Sequence, residues 1–350
     1  MGCWREPHAP VRVPNIDMAA ILTSLDAWQR RHPAVAFPAA VVRKFVDDRA
    51  SNLAALVTYY AFFSVFPLVL VFVSILGYVL QDDPTLRNDI VDSAVGRIPV
   101  VGTQLEKGVE PLTGSSVALA LGLATALWAG LGVMLALTRA FEEIWDVPRL
   151  EQHGALAARG RGVVVLLALA IGLVVSTIAT GSAVTGAIGP AAERVGAFAV
   201  SFVVNALVFL VAFGVLNARP LRVGEIAPGV VLAALGSLVL QSLGGWYVTH
   251  AVERASDVYG TFAAVIGLLS WFWLGSNLLL FSAEVNVVLH RGLWPRSFAG
   301  SLSPADREAL RDAATAARQD ARQEIEVRFS EDGAQPDPAA ADEPARRAAQ

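Results

Sequence analysis

The residues most able to do chemistry in this chain are polar groups set at the ends of long apolar runs. Glu284 and Asn286 follow directly on Val258–Ala283, a stretch without Asp, Glu, Lys or Arg. Arg139, Glu142 and Glu143 follow Pro111–Thr138 in the same way, and Asn217 with Arg219 closes the run from Val195 to Ala218. Asn52, Thr58, Tyr59, Tyr60 and Ser64 lie at the start of Leu53–Leu80. Ionisable groups in apolar surroundings are costly, so they pair with one another, hold an ion or line a polar path.

Bond-breaking chemistry finds little support. Metal-dependent RNA hydrolysis wants clustered His and Asp ligands, whereas His8, His32, His153, His250 and His290 are isolated and no H-x-H-x-D-H run occurs. No G-x-x-x-x-G-K-[ST] phosphate loop is present either. Cys3 is the single cysteine, which excludes an intrachain disulfide and a cysteine-built zinc site. The expectation is a non-enzymatic protein with no cofactor, no metal and no nucleic-acid partner.

The elements that position these residues are membrane helices. Charged residues make up 17% of the chain, below the roughly one quarter of an ordinary soluble domain, and they gather at the two ends and in short loops. Six runs free of charge reach the ~20 residues that cross a hydrocarbon core as a helix. They are Leu53–Leu80, Pro111–Thr138, Gly162–Ala192, Val195–Ala218, Ile226–Val252 and Val258–Ala283. The third and fourth are parted only by Glu193 and Arg194, and Gly189-Pro190 forces a hairpin there. The fold class is therefore an all-α integral membrane bundle of six transmembrane helices. Residues 1–52 form a cytoplasmic N-terminal segment, 53–290 the membrane domain and 291–350 a cytoplasmic helix with a disordered tail.

Lys and Arg placement orients the bundle. Of the 27, 22 fall in the two terminal segments and the loops 139–161 and 219–225, leaving five for the alternate loops. Both termini are expected in the cytoplasm. With 1.5 Å of rise per residue, Glu284 lies roughly 37 Å along the last helix from Tyr259. Asn52, Tyr59, Arg139, Glu142, Glu284 and Asn286 then share one cytoplasmic layer, with an Arg139–Glu284 or Arg139–Glu142 ion pair as the natural electrostatic solution. Two readings stay open: a charged chamber open to the cytoplasm, or interfacial charges that anchor helix ends. Pro67 should kink the first span by removing a backbone donor to Phe63. Asp257, Tyr259 and Gly260 mark the outer start of the last span. Gly172, Ser176 and Thr180, with Ser182 and Gly186, allow close helix approach, inside the monomer first and in a homo-oligomer second.

Outside the spans, residues 16–31 and 36–50 pattern as two amphipathic helices, either lying on an anionic membrane surface or packed on neighbouring loops. Loop 81–110 reads as two short helices around Pro99. Ser303-Pro304-Ala305-Asp306 is a helix start, with a helix running on to about Arg328 and a disordered stretch over 330–350. Glu6 stands where a myristoylation motif wants Ser or Thr, and residues 1–15 lack a secretory apolar core, so the first span is expected to act as the insertion signal.

Two stretches carry a family resemblance. The run from Leu53 to Pro67, LAALVTYYAFFSVFP, resembles the first-helix signature of the YihY/BrkB inner-membrane family. Tyr259-Gly260-Thr261-Phe262-Ala263-Ala264-Val265-Ile266, through Trp271 to Ala283-Glu284-Val285-Asn286, resembles that family's last helix. The similarity spans roughly residues 35–292 in order and topology and leaves out both extensions. It implies a bacterial cytoplasmic-membrane protein with six spans, from a family of which some members were named for serum resistance, others carry an old label as a tRNA-processing ribonuclease, and a few are linked to envelope lipid or lipopolysaccharide transport. It carries over no catalytic residue set. The function expected is transport of a lipid, a lipid-linked envelope precursor or an amphipathic solute, with membrane lipids as surroundings. An envelope assembly protein is the alternative.

The charge asymmetry makes a direct prediction. Peptide tags fused to either end should be invisible to antibody on intact cells and detected once the cytoplasmic membrane is opened. Surface labelling of either tag on intact cells would refute the orientation.

Overall fold

The computed structural model of the chain describes residues 18–79, 116–182, 190–217, 221–247, 261–297, 302–320 and 322–329. Among these residues there are helices and no strands. Two short helices come first, α1 (Met18–Arg31) and α2 (Pro33–Asp47). Six long ones follow: α3 (Ala50–Val79), α4 (Ser116–Ile144), α5 (Ala155–Ser182), α6 (Pro190–Leu216), α7 (Val223–Tyr247) and α8 (Thr261–Arg291). The helix α9 (Pro304–Ala316) closes the described set.

The six long helices are those found from uncharged runs, and each is long and apolar enough to cross a membrane. Their ends differ from the runs in an instructive way. α4 continues past Thr138 through Arg139, Glu142 and Glu143, and α5 begins at Ala155, taking in Arg159 and Arg161. Charge-free runs mark where lipid ends. Backbone hydrogen bonding does not stop there, because a helix satisfies its own amides in water as well as in lipid. α6 opens at Pro190, whose missing amide would be an orphan at that position anyway.

In sequence order each long helix packs on the next, and α8 returns to α3, so the bundle closes into a ring. α4 also touches α8 and α6. The packed core is not spread evenly along the helices. Phe141 and Ile144 of α4, Phe213 and Leu216 of α6, Ile226 of α7 and Leu280, Val287 and Val288 of α8 are fully buried, and Ala50 and Ala54 of α3 join them. All lie at the end where α3, α5 and α7 begin and α4, α6 and α8 finish. Phe141 and Phe213 meet there with ring centroids 5.2 Å apart. Outward faces are apolar: Trp128 is 75% exposed, and Leu167, Phe198, Val239 and Phe262 are exposed too. Apolar surface on this scale, all round a ring, suits lipid as the solvent.

α2 lies under this end and packs on α8 and α3. Its buried face is Ala36, Ala40, Val41 and Lys44, while Val42 and Val46 are exposed. Lys44 thus falls in the apolar stripe of the helix, although its neighbour Arg43 is partly exposed. α1 likewise turns Asp26 and Gln29 inward and leaves Trp28 exposed. α9 ends at Ala316 rather than near Arg328, and residues 322–329 are not helical. Expectations for 81–110, for Asp257, Tyr259 and Gly260 and for 330–350 fall outside the described residues. α3 is continuous through Pro67.

Small residues set the tightest helix approaches. On α5, a Cβ at Gly172 would come within 2.8 Å of Val208 of α6. Gly229 of α7 is closer still: a Cβ there would overlap the carbonyl of Ser282 and the side-chain amide of Asn286 on α8. Gly214, by contrast, faces open space. Gly229→Val should therefore destabilise the detergent-solubilised protein by about 1–3 kcal/mol, through forced separation of α7 and α8. Gly214→Ala should be neutral or mildly stabilising. Thermal unfolding of both variants checks this, and equal behaviour would contradict the packing.

Candidate functional site

The chemistry gathers where the carboxyl end of α4 meets α2 and α8. An α-helix leaves its last carbonyls without internal partners and carries partial negative charge at that end. Here the Ile144 carbonyl accepts a hydrogen bond from the Lys44 ammonium at 3.2 Å, and the Trp145 carbonyl accepts one from the Arg291 guanidinium. Beyond Trp145 the chain closes in a Schellman turn, in which the Val147 amide donates to the Glu142 carbonyl and the Asp146 amide to that of Glu143, both at 2.9 Å. The turn needs a left-handed residue, and Asp146 supplies it with φ of 46° where glycine is the usual choice. The substitution of acid for glycine has a consequence: the Asp146 carboxylate lands 3.2 Å from Lys44 and 2.8 Å from Arg291.

Two more acids complete the group. Asp48, in the tight corner between α2 and α3, lies 2.5 Å from Lys44. The next residue, Arg49, also has a left-handed backbone, φ 52°. Glu284 enters from α8 fully buried, facing the Lys44 ammonium and the Asp48 and Asp146 carboxyls. Neither of its carboxyl oxygens has a hydrogen-bond partner. Burial alone would depress the Lys44 pKa, but the surrounding acids outweigh it and hold the ammonium above its ordinary range. Burial pushes the Asp48 carboxyl up to about 6, against the pull of Lys44.

The other residues of the expected layer go elsewhere. Arg139 pairs with Glu142 at 2.9 Å, not with Glu284. Glu142 is fully buried and also accepts from the His153 backbone amide at 2.8 Å, with the His153 ring nitrogen 2.9 Å away, so it ties the α4–α5 turn back onto α4. Asn286 is buried between helices, where its side-chain oxygen accepts from the Gly229 amide at 2.7 Å. Asn52 and Tyr59 face outward, Tyr59 being 55% exposed and packed edge-on against Tyr60. The fold thus brings Arg139 to Glu142, and keeps Glu284, Asn286 and Tyr59 in three separate surroundings.

A third group fastens the chain beyond α8. Asp306 caps its own helix through the box foreseen at Ser303 and accepts from the Ser297 amide at 2.9 Å and from Arg296 at 2.9 Å. Arg296 reaches on to Asp47 at 2.9 Å, and its carbonyl accepts from Gln29 at 2.5 Å. Although burial pushes the Asp306 carboxyl up, the bonds from Ser297, Arg296 and Ser303 hold it well below the usual carboxylate range.

The sequence profile described as virulence factor BrkB matches residues 41–299, about three quarters of the chain. The chain belongs to the BrkB family. The inner membrane protein YhjD of Escherichia coli is 26% identical over 287 residues, covering 76% of this chain and 84% of that protein. A Bacillus subtilis protein named only as ribonuclease-like, YfkH, is 22% identical over 265 residues, covering 71% and 93%. A UPF0761 membrane protein of Pseudomonas aeruginosa, PA0951, is 27% identical over 279 residues, covering 75% and 65%. No solved structure matches. The BrkB segment contains Lys44, Asp48, Asp146, Glu284, Arg291 and Arg296, whereas Asp306 and Asp312 lie beyond it. In this BrkB-family chain a C-terminal extension is therefore bonded to the core of the family fold.

Sequence reasoning missed Lys44, Asp48, Asp146 and Arg291. A signal for Lys44 existed: positions 36, 40, 41 and 44 form one helical stripe, and a lysine in it must be buried and paired. No comparable signal marks Asp146, because a left-handed backbone is not written in residue type.

Asp306 yields a pH prediction. A carboxyl depressed in the folded state contributes stability above the unfolded value, about 4, and loses it as pH falls below. Asp306→Asn should lower stability at pH 7 by about 1–3 kcal/mol and flatten the acid limb of the stability profile. Unfolding midpoints from pH 3 to 7 (about the range where carboxyls titrate) test this, and an unchanged acid limb would count against the assignment.

Proposed function

We propose that this protein translocates a lipid, a lipid-linked envelope precursor or another amphipathic solute across the bacterial cytoplasmic membrane, with both termini inside. The observation that carries the reading is Glu284, a fully buried carboxyl without a hydrogen-bond partner on a spanning helix. The buried charges that fasten helix ends here, Lys44 and Glu142, have hydrogen-bond partners, which Glu284 lacks. A carboxyl kept in the packed end of a membrane bundle costs free energy and marks a working site. The outward aromatics of α3, Tyr59, Phe63 and Phe66, and the exposed Val42 and Val46 of α2 are apolar surface of the kind that acyl chains contact.

The ribonuclease-like name of the Bacillus relative draws no support from the described histidines. His153 is committed to Glu142, and His290 stacks near Trp145 and faces Glu225 at 3.8 Å. Among the described residues no three His, Cys, Asp or Glu side chains converge as metal ligands. The non-enzymatic alternative, an assembly protein of the envelope, draws on the exposed outer face of the docked α9.

Reconstitution decides between them. Wild-type protein in liposomes should move fluorescent phospholipid between leaflets faster than empty vesicles do. Glu284→Gln should cut that rate by at least about tenfold, equivalent to ~1.4 kcal/mol in the barrier, and Arg139→Ala, at a partly exposed guanidinium, by less. A wild type no faster than empty vesicles, with cellular complementation intact in both variants, would end the proposal.

A further inference from the structure

Cations at the polar end of the bundle are answered by the protein itself. Lys44, Arg291 and Arg296 bind carboxylates, Arg139 binds Glu142, and Arg161 donates to the Asn217 carbonyl at 3.1 Å. Arg159, half-buried two residues before Arg161 on α5, is different. Among the described residues no carboxylate or carbonyl is bonded to it, and its guanidinium lies 5.4 Å from the ring centroid of Trp128 on α4. An aromatic face attracts the charge but leaves the in-plane N–H bonds of the guanidinium without acceptors. Such an arginine still needs an anion.

Its surroundings point to the source of that anion. Leu156, Arg159, Val163 and Leu167 recur at helical spacing along one flank of α5, and the three apolar members are exposed. Packing fixes the depth. Gly130 meets Leu166 and Gly162 meets Met134, a register that sets Arg159 at the level of Leu137, where the charge-free run Pro111–Thr138 is about to end. Trp128 lies about nine residues, roughly 13 Å, farther from the polar end. An arginine near the end of a span ordinarily extends into water. This one reaches the opposite way, over apolar surface toward the middle of the bundle. We propose that Arg159 and Trp128 bind the headgroup phosphate of an anionic phospholipid, whose acyl chains lie on the exposed Val163 and Leu167 of α5 and Leu127 of α4. Two N–H bonds of a guanidinium match two phosphate oxygens, and the indole holds the cation in place from the other side. Charge balance selects the lipid class. A zwitterionic headgroup brings an ammonium along with its phosphate, whereas phosphatidylglycerol brings the negative charge alone. A soluble anion would gain the same N–H bonds without the apolar contact. The site stands independently of the transport reading, because a lipid held there serves as a bound component of the fold.

Native mass spectrometry of the detergent-solubilised full chain, titrated with phosphatidylglycerol or phosphatidylcholine of the same acyl length, tests the site. Wild-type protein should take up its first phosphatidylglycerol about tenfold more tightly than phosphatidylcholine. Arg159→Gln should remove that preference and Trp128→Leu should reduce it, while phosphatidylcholine binding stays as in the wild type. Arg149→Gln, which removes an exposed cation from the α4–α5 turn, should leave the preference unchanged. The wild-type comparison needs no substitution, and Trp128 is exposed, so the outcome does not depend on a variant refolding its core. Equal wild-type affinity for the two lipids overturns the proposal. So does a preference that survives Arg159→Gln or Trp128→Leu, or one lost equally in Arg149→Gln. A preference abolished by inorganic phosphate at the concentration of the lipid would show a soluble-anion site instead, and would overturn it too.

Discussion

The carbonyl end of α4 is the point on which the arrangement depends. A helix that finishes at the edge of an apolar bundle presents carbonyls with no water to satisfy them, and partial negative charge with nothing to balance it. Two cations from different parts of the chain, Lys44 of α2 and Arg291 at the end of α8, settle on Ile144 and Trp145. That single demand joins the N-terminal segment, the second span and the last span. Cations so deeply placed need counter-charges of their own, and Asp48, Asp146 and Glu284 follow from that need. Removing either cation would strand buried acids, the kind of loss that costs about 3–5 kcal/mol.

Polar chemistry is confined to one end of the ring because the solvent permits it nowhere else among the described helices. Thr58, Ser64, Thr138 and Ser282 turn their hydroxyls back onto carbonyls of the preceding turn, at 2.7 to 2.8 Å, and Thr58 also lies 3.5 Å from the Ser276 hydroxyl of α8. Such bonds satisfy the hydroxyls largely within their own helix. At the polar end, by contrast, bonds run between elements: Asn286 to Gly229, Arg161 to the Asn217 carbonyl, Arg291 to Asp146. The same end holds the densest apolar packing, so the charges sit in a framework stiff enough to keep unmatched groups in place.

The C-terminal extension adds a second polar lock beside the first. Arg296 binds Asp306 of α9 and Asp47 of α2 at once, and Gln29 of α1 closes on its backbone. This lock crosses from the BrkB-matched segment into sequence outside it, and it holds the base of α2, on which Lys44 rides. Displacement of α9 would therefore reach the Lys44 group by two routes, directly through the Asp312–Arg291 pair and through Asp47 and the α2 backbone.

The sequence by itself determined the solvent and the scaffold. Six charge-free runs are long enough to require lipid, and the polar residues beside them had to fall at helix ends. Ser303 and Asp306 announced the start of α9, because a capping box is a local hydrogen-bond pattern written over four residues. Family membership was legible in two motifs for the same reason of locality. Only the tertiary structure decided which polar residues meet. Arg139 had Glu142 one helical turn away and took it, and the charged groups nearest Glu284 came from residues 44, 48 and 146, brought together by a buried lysine and a left-handed aspartate. Pattern reading finds the depth of a charge from the run it follows. The partner of a charge depends on how helices rotate and where turns close, and those are set by packing across the whole ring.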